Sequence, residues 1–104
     1  MIDEISVTEL ATCLPSGAKL VDVREPSEFV DGHVPTAQLI PLSSVPENME
    51  KFRSNDKVYV ICHSGARSMR ACEFLHDAGI TNVVNVAGGT SGWIALGNEV
   101  ETGA

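Results

Sequence analysis

The sequence predicts an α/β fold with a parallel sheet, on three observations. Short apolar runs alternate with helix signals from end to end, the order that βα units produce. The run Val58–Ile61 is continuously apolar, as a strand covered on both faces must be. No repeat, low-complexity tract or linker interrupts the chain, so its 104 residues read as one domain, 1–104, of ordinary size.

The elements follow in order. Ser6 with Glu9 fits a capping box and starts a helix near Val7, which ends before Pro15-Ser16-Gly17. Leu20-Val21-Asp22-Val23 is a short strand. Pro26 suits the first position of a helix and Gly32 its end, giving a helix over 26–31. Leu39-Ile40 reads as a brief strand before Pro41. Ser44 and Glu47 repeat the capping-box pattern and predict a helix over 45–53. After the strand at 58–61, a helix runs from Ala66 to Ala78 with Gly79 as its stop. On it, Ser68, Ala71, Cys72, Leu75 and Ala78 form the core-facing stripe, while Arg67, Arg70 and Glu73 lie on another face. Val83–Val86 is a further strand, and Trp93 and Ile94 sit in a last short helix.

Composition narrows the function. The chain carries 7 Lys and Arg against 14 Asp and Glu, a net charge of −7, which argues against nucleic-acid and anionic-membrane partners. A 43% hydrophobic content suits a soluble globular chain. The longest apolar run, Val58–Cys62, is far too short to span a bilayer. The opening Met-Ile-Asp-Glu-Ile lacks the basic and long apolar regions of a secretory leader. Three cysteines form a poor disulfide framework and suit a reducing compartment, so a cytoplasmic location is expected. The cysteines and histidines show no metal-ligand spacing, and neither a metal nor another cofactor is expected.

The stretch VYVICHSGARSMRACEFL, residues 58–75, holds the chemistry. Cys62 ends a predicted central strand, the place where reactive groups gather in open α/β sheets. His63-Ser64-Gly65-Ala66 then leads into a helix whose N-terminal amides and partial positive charge favour a thiolate. Gly65 permits the tight turn that lets several N–H groups converge on one sulfur. Arg67 and Arg70 add positive charge in an otherwise acidic chain. A free cysteine is ordinarily a small buried hydrophobe, and Cys13 and Cys72 read that way. Cys62 departs from that reading because strand end, glycine and arginines coincide, and it is expected to be exposed at the loop and ionised easily.

These residues resemble a known family. Cys62-His63-Ser64-Gly65-Ala66-Arg67-Ser68 is similar to the active-site loop of the single-domain rhodaneses, the thiosulfate sulfurtransferases. The segment LVDVREPSEFVDGHVPTAQLIPL, residues 20–42, resembles their upstream signature, and VAGGTSGW, residues 86–93, their C-terminal one. One departure is visible: Thr36 stands where the family usually has glycine, so a turn needing positive φ would be strained.

The resemblance implies a rhodanese-like fold, a small twisted parallel sheet of about five strands with helices on both faces. It implies that Cys62 is the catalytic nucleophile, taking sulfane sulfur from thiosulfate or a related persulfide and passing it from a Cys62 persulfide to cyanide or a thiol. Glutathione or a small carrier protein would be such an acceptor. His63, Ser64, Gly65, Ala66, Arg67 and Ser68 would form the substrate-binding loop, with backbone amides cradling the sulfur, Arg67 meeting the donor's oxygens and His63 shaping the rim. For Arg67 the alternative is a solvated helix residue paired with Glu73 or Glu47. Asp22 and Arg24 read as structural partners, His33 as a hydrogen-bonded support, His76 as an exposed helix residue and Trp93 as a core or edge residue.

Three rival functions are weighed. A phosphatase or arsenate reductase of related fold would carry five residues between Cys and Arg, and here there are four. A non-catalytic binding module of this family would ordinarily lack the cysteine. A redox sensor would want a resolving cysteine nearby, and Cys72 faces the core.

Overall fold

The computed structural model describes all residues, 1–104. Five parallel strands make one sheet in the order β1-β5-β4-β2-β3. They are β1 (Asp3–Ser6), β2 (Lys19–Asp22), β3 (Gln38–Leu39), β4 (Val58–Ile61) and β5 (Val83–Ala87). Four helices connect and flank them: α1 (Val7–Cys13), α2 (Pro26–Asp31), α3 (Ala66–Asp77) and α4 (Gly89–Ala95). No helix is long and apolar enough to cross a membrane.

Strand alternation divides the core between the two faces of the sheet. Val58 and Val60 of β4, with Val21, Val23 and Val83, pack against Ala71, Cys72 and Leu75 of α3 and against Val45 and Phe52. Ile61, Leu20 and Val86 face the other way, against Val7 and Leu10 of α1 and Trp93 of α4. The two-residue period carries one step past β4, so Cys62 falls on the α3 face with Val58 and Val60.

Most elements stand where the sequence places them. The Ser6–Glu9 capping box forms in full at the start of α1, and α2 covers the expected residues with Pro26 in its first turn. Four differences stand out. First, β1 is unforeseen: it is an edge strand with largely exposed residues, and its ladder with β5 does not depend on an apolar pattern. Second, residues 45–53 do not form the expected helix. Short 3₁₀ turns occupy 42–44 and 46–52: the Asn48 side chain donates to the Ser44 carbonyl at 2.8 Å, the acceptor an α-helix would give to the Asn48 amide, Asn48 itself is non-helical (φ −121°), and the Ser44–Glu47 capping box is absent.

Third, Ala78 is exposed at the C-cap of α3 rather than on its core stripe, because the helix has already ended. Fourth, His76 is half-buried rather than exposed. At Thr36, φ is 76°, the only positive value outside glycine, so a β-branched residue occupies the strained turn that the departure from the family pattern implies.

Candidate active site

The site forms where β4, β2 and β5 end together. Ile61 is in register with Asp22, and Val60 with Asn85, so the residues after these strands converge. Cys62 leaves β4 and the loop turns through Gly65, whose φ of 109° a side chain would resist. α3 then begins at Ala66 with its amides directed back at the sulfur. The Gly65 N–H donates to Cys62 Sγ at 3.1 Å, and the Ser68 hydroxyl lies 3.3 Å from it. Burial raises the Cys62 thiol pKa, but hydrogen bonds from the Ser68 hydroxyl and from the amides of Ser68, Gly65 and Ser64 outweigh it. The net effect is a thiol held below its ordinary value.

Cys62 is 1% exposed, which corrects the expectation of an exposed loop cysteine: the sulfur sits at the floor of its cradle, under the loop backbone. Cys72, on α3, is fully buried without such donors, and burial pushes its thiol up to about 12. Cys13 packs at the edge of the second core, its sulfur near the Glu9 and Leu10 carbonyls.

The remaining loop residues divide by role. His63 and Ser64 are exposed, and His63 lines a cleft of about 420 Å³ beside the loop with Arg24, Glu28, Asp31, Ser91 and Ile94. Ala66 is exposed at the first turn of α3. Ser68 is buried behind the sulfur.

Arg67 is half-buried and grips Glu28 of α2 with both amino groups, at 2.7 and 2.8 Å. Neither Glu73 nor Glu47 is its partner. Arg67 supplies the largest effect holding the Glu28 carboxyl down to about 2. Its charge is therefore committed, and Arg70, exposed one turn further along α3, is in no ion pair.

Asp22 and Arg24 form a buried two-pronged pair, and Arg24 also donates to the Gly32 carbonyl at 2.8 Å, tying β2 to the end of α2. His33 stacks on Phe29 at 3.7 Å and its Nδ1 meets the Phe29 carbonyl, a fold-supporting role. Trp93 is buried and donates to the Glu99 carbonyl.

Two contributors escape a reading of the sequence. Asn85 is a buried amide on the α3 face of β5. Its Nδ2 donates to Glu4 on β1, and this turns its Oδ1 toward the Ser68 hydroxyl, which donates to it. The available signal was one polar residue inside the apolar run Val-Val-Asn-Val. The second contributor is the start of α4. The Thr90 and Ser91 amides donate to the carbonyls of Cys62 and His63, at 2.8 and 3.0 Å, pinning the loop from behind. A Cβ on Gly89 would stand 2.6 Å from the Cys62 carbonyl oxygen, so only glycine allows this approach at position 89. No group of three or more His, Cys, Asp or Glu side chains is placed to hold a metal ion.

Comparison with known proteins agrees with this geometry. Residues 6–96 match the model of the rhodanese-like domain. The Allochromatium vinosum protein named sulfurtransferase is 34% identical over 99 residues, covering 93% of this chain and 92% of that one. The Bacillus subtilis protein YqhL is 41% identical over 76 residues, 73% of this chain; the matched chain spans only 60% of YqhL. A rhodanese-related protein from Thermoplasma volcanium superposes with a TM-score of 0.86 at 35% identity, covering 94% of this chain and 96% of that one. A sulfur at the end of a parallel strand, a loop closed by glycine, and a family match spanning both signatures lead to one assignment: the chain belongs to the rhodanese-like domain family.

Proposed function

We propose that this single domain is a sulfurtransferase in which Cys62 carries sulfane sulfur as a persulfide between a donor and a thiol acceptor. The observation that supports it is the ring of donors around Cys62 Sγ: the Gly65 amide, the Ser68 hydroxyl and amide, and the Ser64 amide. Such donors stabilise a thiolate before reaction and a persulfide anion after it, with no metal or organic cofactor. With thiosulfate, the Cys62 thiolate attacks the outer sulfur, the S–S bond breaks and sulfite leaves with its electron pair. With a hydrodisulfide, the same attack releases a thiolate. An acceptor thiolate, from glutathione, a carrier protein or cyanide in its place, then attacks the terminal sulfur and restores the Cys62 thiolate, a ping-pong sequence.

His63, Ser64, Gly65, Ala66, Arg67 and Ser68 would line the path of the transferred sulfur. The name of the Allochromatium vinosum relative supports the reaction class. The four-residue spacing from Cys62 to Arg67 favours a single sulfur over the tetrahedral oxyanion a phosphatase must hold. A cytoplasmic setting suits three free cysteines.

The test is intact mass spectrometry after incubation with thiosulfate or a small hydrodisulfide. One added sulfur on Cys62, lost on addition of a thiol and absent in Cys62→Ser, is the expected result. Sulfur transfer by folded Cys62→Ser would reject the mechanism.

A further inference from the structure

One buried polar group close to the sulfur has no part in the chemistry described above. Asn85 stands in an otherwise apolar strand, 1% exposed, with Glu4 of β1 and Val60 of β4 as its register partners. An amide in that place costs desolvation that a valine would not. Its Nδ2 donates to Glu4 Oε2 at 2.8 Å and lies 3.4 Å from the Gly65 carbonyl, so its protons are directed at oxygens other than Ser68. Oδ1 is left facing the fully buried Ser68 hydroxyl, which donates to it. The same hydroxyl lies 3.3 Å from Cys62 Sγ. It has one proton, and its remaining acceptor, the Gly65 carbonyl, already takes the Met69 amide at 3.1 Å.

The two acceptors rank differently in the two halves of a sulfur transfer. A bare Cys62 thiolate is charged, and a hydrogen bond to it is about twice as strong as a neutral one. In a persulfide the charge lies on the outer sulfur, and Sγ, bonded to carbon and sulfur, is a weak neutral acceptor. The Ser68 hydroxyl has no water to turn to, so it then depends on Asn85. We propose that Asn85 is a positioning residue of the sulfur site: its carboxamide oxygen, aimed by Glu4, holds the Ser68 proton while Cys62 carries sulfur and yields it to the bare thiolate, so Asn85 sets how the domain divides between its loaded and free forms. This rests on the sulfur-transfer reading above and adds the balance between its two states. When an acceptor thiolate takes the outer sulfur, the S–S bond breaks, its electron pair returns to Sγ, and the Ser68 proton swings from Oδ1 to Sγ without leaving the hydroxyl oxygen.

The experiment uses the full chain and two readouts. The first is the pH midpoint of iodoacetamide labelling at Cys62, followed by mass spectrometry. The second is the ratio of persulfidated to free Cys62 at equilibrium with a fixed mixture of 2-mercaptoethanol and its hydrodisulfide, at one pH above that midpoint. Arg67 and Cys72 of α3 are the titratable groups that sense the Cys62 charge. Burial holds Cys72 up to about 12, Arg67 keeps its Glu28 partner and Asp22 its Arg24, and His63, exposed next to Cys62 in the loop, is common to every variant.

Asn85→Val suits the strand and removes the competing oxygen. It should raise the thiolate fraction below the midpoint about threefold to tenfold, the worth of one neutral hydrogen bond, and lower the persulfide ratio by a similar factor. Both effects should vanish when Ser68→Ala is added, because no proton is left to share, whereas an effect of the Asn85 dipole or of packing would persist. Glu4→Ala frees the amide and should move both readouts in the same direction by a smaller factor. Glu4→Gln, which keeps an acceptor for Nδ2, should restore the parent values. The proposal is overturned if folded Asn85→Val leaves both readouts unchanged or moves the midpoint upward, or if its effect survives in Ser68→Ala. Should Asn85→Val not fold, equal behaviour of Glu4→Ala and Glu4→Gln overturns it. Absence of any persulfide on Cys62 in the parent protein would instead overturn the sulfur-transfer reading beneath it, and the labelling profiles would still locate the Ser68 proton.

Discussion

Replacing Ser68 by alanine isolates one of the donors that hold the Cys62 thiolate. The Ser68 hydroxyl has a single proton and three acceptors in reach: Cys62 Sγ at 3.3 Å, the Gly65 carbonyl at 3.2 Å and Asn85 Oδ1. Glu4 fixes the Asn85 amide so that only its oxygen faces the serine. The proton is therefore shared, and its contribution to the thiolate falls at the low end of the range for a hydrogen bond to a charged group, about 1.5 kcal/mol. That corresponds to roughly a tenfold loss of thiolate at pH values below the titration midpoint. The amides of Gly65, Ser64 and Ser68 remain, so the sulfur stays activated.

The assay is the pH profile of iodoacetamide labelling at Cys62 in native protein, read by mass spectrometry. Ser68→Ala should shift the midpoint upward and leave the high-pH plateau unchanged, because access to the 1%-exposed sulfur is the same in both proteins. Stability should fall by about 1–3 kcal/mol, since Asn85 Oδ1 loses its partner in a buried site. Superimposed profiles from two folded proteins would refute the reasoning: the proton would then belong to Asn85, and the backbone amides alone would hold the thiolate.

Three further outcomes are expected. Gly89→Ala should slow Cys62 labelling at neutral pH by tenfold or more and lower the melting temperature, because its Cβ would collide with the Cys62 and His63 carbonyls and push α4 off the loop; parent-like labelling and melting would contradict the pinning of the loop by α4. Thr36→Gly should raise stability by about 1 kcal/mol in a denaturant titration, the strain of a β-branched residue at positive φ; a loss would place the strain elsewhere. The Glu28–Arg67 pair should give an acid-limited contribution to stability. Glu28 is shifted down from an ordinary 4.5 to about 2, so its contribution is full above about pH 5 and is lost as pH falls toward 2. Parent and Glu28→Gln should accordingly differ by about 1 kcal/mol at pH 7 and converge near pH 2, and a difference independent of pH would exclude the ion pair as its source.

Local chemistry was readable wherever one residue or a short pattern sufficed. Ser6 with Glu9, Pro26 with Gly32, and the apolar run from Val58 to Ile61 each specify an element through neighbours a few positions away, and these elements form as expected. Cys62, followed by a glycine turn and a helix start, likewise announces an anion-stabilising cradle, because amide convergence there is set by consecutive residues. The expected helix over 45–53 fails for a comparable local reason: the Asn48 side chain takes the Ser44 carbonyl and the backbone at Asn48 leaves the helical region.

What the chain by itself determined was the α/β alternation, the cysteine at the end of β4 and the loop that bends around it. Tertiary structure alone decided which distant groups complete the site. Glu28 meets Arg67 across 39 positions, and Glu4 meets Asn85 across 81, because parallel strands bring residues together only through crossover connections. The edge strand β1 pairs through its backbone, which leaves little mark in side-chain pattern. The burial of Cys62 and the neutralisation of Arg67 arise the same way. Both depend on packing and charge pairing between segments far apart in sequence, and spacing along the chain carries no record of such pairing.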